Sequence, residues 1–295
     1  YIMTAGKKFN LVLNIIFIIL AFLCLFPILL TLSISFSSTE SIMQYGYRLI
    51  PAKFSVDAYK YIFGDPSTIL NEYGETIFNT VVGAAASVLV ISHVAYPLSR
   101  SDFKLRLPIT YYILFTMLFS GGQVAGYMVT TTMYHLQNTR WVMILPCLMS
   151  PWYMVVLRTF FKTGVPNAII ESGKLDGAGE LRILWQLIFP IALPGIATIA
   201  LFQVLMFWNE WNLPLLYITN PKLYNLQFLL QQMMQNIQMI NESPEFAAQS
   251  AGAAKLPTES ARMALCFVAM GPILVTYPFF QKYFIQGTID SAVKG

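Results

Sequence analysis

The stretch LVLNIIFIILAFLCLFPILLTLSIS, residues 11–35, contains no charged side chain. A helix rises about 1.5 Å per residue, so this run is long enough to cross a hydrocarbon core of roughly 30 Å. It is also longer than the apolar core of a secretory signal, about 7–15 residues, and no A-x-A pattern follows it. It is therefore expected to stay in place as a membrane anchor. The rest of the chain has the same character. Of its 295 residues 56% are hydrophobic and only 11% charged, with a mean hydropathy of +0.60, whereas a soluble domain carries about 25% charge.

Six apolar runs can span: 11–35, 77–98, 108–131, 141–161, 189–208 and 263–284. Hydrocarbon offers no partner to an unpaired peptide group, and nothing in these runs alternates as a barrel strand would. The expected fold is an all-α membrane protein, one six-helix bundle over 11–285 flanked by short tails at 1–10 and 286–295. Cys24, Cys147 and Cys266 each lie inside an apolar run. They offer neither a disulfide framework nor zinc spacing and read as small side chains that face lipid or are packed.

Lysine and arginine set the orientation. Eleven fall on one side of the predicted spans: Lys7, Lys8, Arg100, Lys104, Arg106, Arg158, Lys162, Lys174, Arg182, Lys282 and Lys294. Seven fall on the other: Arg48, Lys53, Lys60, Arg140, Lys222, Lys255 and Arg262. The richer side is expected to be cytoplasmic, which puts both termini inside and the segments 36–76 and 209–262 outside. The net charge of +4 then reflects topology, and no nucleic-acid partner is implied. Within the second outer segment Leu226, Leu229, Leu230, Met233, Met234 and Ile237 recur at helical spacing. An amphipathic helix is expected there, either packed on the bundle as a lid or exposed to an external partner.

The inner segment ESGKLDGAGELRILWQLIFP, residues 171–190, mixes charge with three glycines. Asn167 after Pro166 can cap a helix through Glu171. Gly173, Gly177 and Gly179 then interrupt it, a second helix starts near Glu180 with Leu181, Leu184 and Ile188 on one face, and Pro190 sits in the first turn of the next span. A hairpin that merely joins two spans would read this way too. Glycine costs about 0.5–1 kcal/mol in a helix, however, and is best explained where another backbone comes close.

These residues resemble the cytoplasmic signature of binding-protein-dependent ABC importer permeases, E-A-A-x3-G-x9-I-x-L-P. Glu171, Gly177 and Pro190 match it, while Ser172 and Gly173 replace the two alanines and Leu187 and Phe189 the aliphatic pair. The LDGA pattern of the family is also present, ending in Asp176, Gly177 and Ala178. SGGQVAGYMVTTTMYHLQNTRWVMILP (120–146), VVLRTFFKTGVP (155–166), FWNEWNLPLL (207–216) and QKYFIQGTIDSAVKG (281–295) are similar to sugar-importer permeases of the maltose type. Permeases for polysaccharide-derived oligosaccharides, alginate fragments among them, look most alike.

The resemblance implies the type I importer permease fold in a bacterial cytoplasmic membrane, with 167–190 as the coupling helix that an ATPase subunit engages. It also implies a second, homologous permease, two ABC ATPase subunits that bind ATP and magnesium, an extracytoplasmic solute-binding protein and an oligosaccharide substrate. No G-x-x-x-x-G-K-[ST] loop occurs in this chain, so neither cofactor nor catalysis is expected of it. An importer for another solute, an ATP-independent carrier or channel, and a purely structural subunit remain as alternatives.

Charged residues are almost absent from the spans, which disfavours ion-coupled transport. His93 is the exception, and reads as bonded within the bundle. Gln203, Trp208, Asn209, Glu210, Trp211 and Asn212 cluster toward the end of the fifth span. Indole rings stack on sugar faces and amides bond hydroxyls, so this cluster is the candidate substrate path, although an interfacial aromatic belt has the same composition. Gly121, Gly122 and Gly126 are expected to allow close packing or local unwinding.

Overall fold

A computed structural model describes residues 7–242 and 258–293. Residues 1–6, 243–257 and 294–295, with Lys255 and Lys294, lie outside the described residues. The chain divides into two compact units, 1–66 with 232–271 and 67–231 with 272–295. Its described residues are mostly helical, and the only β-pairing among them is an isolated bridge between Ser37 and Phe54.

The first unit begins with α1 (Lys7–Ser35), whose apolar side chains are exposed over nearly its whole length. A helix so clad requires lipid or another apolar surface around it. The segment after it folds onto its end through α2 (Thr39–Tyr45) and α3 (Asp57–Ile62). Ser33 Oγ donates to the Arg48 carbonyl at 2.7 Å, Ser35 Oγ meets Tyr59 Oη at 3.0 Å, and the Phe36 ring stacks on Phe54 with centroids 5.4 Å apart. Near the start of the long C-terminal helix, Thr258–Val293, Tyr47 Oη donates to Glu259 at 3.2 Å.

The second unit is organised around α4 (Pro66–Ser99), which runs unbroken for 34 residues. Three further spans are bent. α5 (Arg106–Leu118) turns by 112° across 119–122, where Gly122 takes φ +82°, into α6 (Gly122–Met128) and a π turn to Met133. The short turns at 140–147 meet α7 (Pro151–Gly164) at 50°. Two long spans and three bent pairs account for five of the six expected crossings among the described residues, and the sixth run, 263–284, lies within Thr258–Val293. Glycine and proline explain the breaks, since both free the chain from the α ladder.

Two glycines on straight helices have a different purpose. A Cβ on Gly83 would lie 2.6 Å from the Phe207 ring, and one on Gly195 would lie 2.6 Å from Phe160. These contacts lock α4 and α7 against the helix Leu193–Trp208. Ile91, Leu98, Met154, Leu157, Ile183, Leu184 and Ile188 fill the core of this unit.

Beyond the end of the helix Leu193–Trp208, the short helix Asn212–Tyr217 packs Tyr217 and the following Ile218 on Val142, Met143 and Ile144. Asn138, at φ 55°, accepts the Thr219 and Asn220 amides at 2.6 and 3.2 Å. The expected amphipathic helix is present as Leu226–Glu242. Asn225 caps it by accepting the Phe228 amide at 3.0 Å, and Thr76 Oγ1 accepts the Leu226 amide at 2.8 Å. Leu226, Phe228, Leu230 and Ile237 are buried, while Asn236, Gln238 and Met239 are exposed.

Replacing Gly83 by valine should destabilise the bundle by about 1–3 kcal/mol, as overpacking does. Thermal unfolding in detergent measures it. Adding Phe207→Leu should restore part of the loss, because the same ring creates the clash.

Candidate coupling site and candidate substrate path

The segment 167–190 forms a hairpin. Its first helix, α8 (Asn167–Leu175), starts one residue earlier than an asparagine cap would place it. Pro166 occupies the cap position at φ −62° and ψ 134°, with no side-chain capping bond. The proline ring fixes an extended entry, so Asn167 is already helical.

The helix is closed by Gly177 at φ +75°. Its amide donates to the Lys174 carbonyl at 3.0 Å and the Ala178 amide to the Gly173 carbonyl at 2.9 Å, the paired bonds of a Schellman motif. Nothing lies within 4 Å of a Cβ at Gly177, so backbone conformation alone selects glycine there. Gly173 is selected by packing instead. It is buried, and a Cβ would meet the Leu187 side chain at 2.8 Å.

Past Gly179 the chain re-enters helix as α9 (Glu180–Arg182) and then widens into a π-helical stretch, Ile183–Ile188. This changes the face that packs. Ile183, Leu184 and Ile188 are buried, but Leu181, expected beside them, is 66% exposed. α10 (Phe189–Ile191) carries Pro190 in its first turn, and the chain then bends by 87° at Ala192 into α11 (Leu193–Trp208). The straight helix of the fifth span thus starts at Leu193 with Pro194 in its first turn, and Pro190 lies before the bend, in α10.

Glu171, Ser172, Asp176 and Gly177 lie exposed along the hairpin, and Ala178 is half-buried. Ser172 Oγ donates to the Ile169 carbonyl at 3.0 Å. Leu175, at the tip, is 89% exposed. An apolar side chain in that position suits contact with another protein.

An ion cluster not anticipated from the sequence ties this hairpin to the end of α4. The Arg100 guanidinium, only 8% exposed, bonds both carboxylate oxygens of Asp102, and reaches Glu180 Oε2 at 2.5 Å and Tyr96 Oη at 2.8 Å. Tyr96 Oη donates to Glu180 Oε2 at 2.8 Å, and Lys174 Nζ to Asp102 Oδ2 at 2.9 Å. The hydrogen bonds from Arg100 and then Lys174 hold the Asp102 carboxyl well below the usual carboxylate range. A cavity of about 380 Å³ opens beside the cluster, lined in part by His93, Pro97, Phe103 and Leu184. His93 Nδ1 bonds the Leu89 carbonyl at 2.7 Å, a contact within its own helix. A sequence signal existed in Tyr96 and Arg100, four apart at a span's end, with Asp102 two further on.

The other candidate residues separate into two groups. Gln203 is fully buried in α11, and both its amide atoms lack a protein partner. Asn79 Oδ1 and Thr80 Oγ1 on α4 are likewise buried and unpartnered. Such groups cost about 1–3 kcal/mol each when left unbonded. Trp208 is buried at the end of α11. Glu210 Oε1 accepts the Asn212 and Leu213 amides at 2.8 and 2.9 Å, which starts α12 (Asn212–Tyr217), and Asn209 Nδ2 donates to the Leu205 carbonyl at 2.8 Å. Trp211 and Asn212 are exposed.

The chain matches, over residues 2–290, the family described as binding-protein-dependent transport system inner membrane component. It is 33% identical to the polygalacturonan/rhamnogalacturonan transport system permease protein YtcP of Bacillus subtilis, over 98% of this chain and 99% of that one. It is 34% identical to protein LplC of the same organism, over 99% and 96%. A solved bacterial ABC transporter involved in the import of the acidic polysaccharide alginate contains a similar chain. The two agree with a TM-score of 0.78 at 26% identity, over 96% of this chain and 99% of that one. The chain belongs to the family of binding-protein-dependent transport system inner membrane components, and its bundle has the type I importer permease fold.

The two glycines should respond differently to substitution. Gly177→Asn should leave the hairpin folded, since asparagine enters the left-handed region readily, whereas Gly177→Val should speed hydrogen exchange of the hairpin amides roughly tenfold. Gly173→Leu should disrupt the hairpin through the Leu187 contact. Exchange mass spectrometry over the segment measures all three.

Proposed function

We propose that this chain is one permease subunit of an ABC importer for an acidic oligosaccharide. It pairs with a second, homologous permease in a bacterial cytoplasmic membrane, with both termini inside. Two ATPase subunits, which hold ATP and magnesium, work on the inner face, and a solute-binding protein delivers substrate on the outer face. The observation that carries this reading is the projecting hairpin with its exposed Leu175, built on the Glu171, Gly177 and Pro190 spacing inside a family match that covers 2–290.

In this reading the hairpin, with Glu171, Ser172, Gly173, Asp176, Gly177, Ala178 and Pro190, receives the ATPase stroke. Closure of the ATPase subunits tilts the spans between inward- and outward-facing forms, and substrate released by the binding protein passes inward. Gln203, Trp208, Asn209, Glu210, Trp211 and Asn212 contribute to its path. The buried, unpartnered Gln203 amide supports that assignment, because a sugar hydroxyl would give it the partner it lacks. The names of YtcP and of the alginate transporter favour a uronate substrate.

The test is ATP hydrolysis and uptake by the complete transporter in liposomes, with its binding protein, across neutral, galacturonate and mannuronate oligosaccharides. Stimulation by the uronates alone is expected. Stimulation by neutral sugars alone would refute the substrate class, and uptake without ATP would refute the importer. Glu171→Lys or Gly177→Asp should abolish uptake while the bundle stays folded, as judged by its thermal unfolding in detergent.

A further inference from the structure

The hairpin is continuous with α7 through Val165 and Pro166, and with α11 through the π-helical stretch 183–188 and the 87° bend at Ala192. A third route leads to α4, the unbroken span, and consists of side-chain contacts. Part of the packing is apolar, since Ile183, Leu184 and Ile188 belong to the same buried cluster as Ile91, Ala95 and Leu98. Apolar packing is non-directional and does not by itself fix the orientation of two elements.

Arg100 supplies direction. Its planar guanidinium presents donors in a fixed fork. One edge is held by Asp102 and the other by Tyr96 and Glu180, so a single buried group touches the end of α4, the turn after it and the start of α9. Lys174 extends the cluster to α8 through Asp102, and lies 3.7 Å from Glu180. α4 is in turn locked to α11 where Gly83 meets Phe207.

We propose that Arg100 is a positioning residue that clamps the hairpin to α4, so that displacement of the hairpin moves the unbroken span as one lever. The inference rests on the coupling reading of 167–190. Losing the clamp leaves Leu175 and the rest of the exposed hairpin surface in place, so a partner can still bind and hydrolyse ATP. What is lost is the movement of α4.

The experiment compares wild type, Arg100→Ala and Arg100→Lys in the complete transporter in liposomes. Uptake per ATP hydrolysed is measured with whichever neutral, galacturonate or mannuronate oligosaccharide stimulates the wild type, together with co-purification of the ATPase subunits. With ATPase association intact, Arg100→Ala should lower uptake per ATP by roughly five- to 150-fold, the usual range of coupling between sites. Arg100→Lys should fall between, since one ammonium cannot hold both edges. An unchanged ratio, or uptake and hydrolysis falling in proportion, would overturn the clamp. If Arg100→Ala does not assemble, Glu180→Gln, which leaves the Asp102 edge intact, is read against the same outcomes. A wild type without ATP-driven uptake would instead sink the coupling reading, and the clamp with it.

Discussion

Peptide groups in hydrocarbon can bond only to one another, and the architecture of this chain follows from where that rule is relaxed. α1 and α4 run as single helices, although Pro27 and Pro97 each remove one amide donor from the ladder. Three other crossings bend at or beside glycine or proline, and each bend exposes backbone that must be satisfied by protein or by water. The bend at Ala192 separates the hairpin from α11. That separation lets the hairpin lie across the direction of α11 while remaining covalently continuous with it.

The hairpin is then defined by two glycines with unlike reasons. Gly177 reverses the chain through a left-handed backbone, and Gly173 lets the returning arm of the hairpin close on α8 through Leu187 and Ile183. Together they make a compact element that is polar along one side, apolar at its tip and anchored by Ile183, Leu184 and Ile188 in the core. The Arg100 cluster adds a directional link to α4. The element thus combines a surface open to a partner with attachments to the bundle through both chain ends, the buried cluster and Arg100.

Much of this is legible in the sequence. The uncharged run at 11–35 and its successors imply a helical bundle, the helical spacing across 226–237 implies the amphipathic helix found there, and the spacing of Glu171, Gly177 and Pro190 points to the family. Local rules fail where distant contacts decide. Asn167 reads as a cap until Pro166 is seen to hold that position, and Leu181 reads as buried until the π-helical stretch rotates the packed face. Gly83 carries no local signal at all, because its cause, Phe207, lies on a different helix far along the chain. Arg100 counts only as a charge that sets topology, since nothing in a linear reading brings Glu180 beside it. Among the candidate path residues, Glu210 proves to start α12, a role its sequence neighbours could have suggested.

The central claim is that the tip of the hairpin is where an ATPase subunit engages this chain. The most direct measurement places the photoreactive residue p-benzoylphenylalanine at position 175 in the complete, transport-active complex and identifies what it captures on illumination. A covalent adduct with the ATPase subunit is the expected result. Capture of lipid alone, in a complex that still transports, would contradict it.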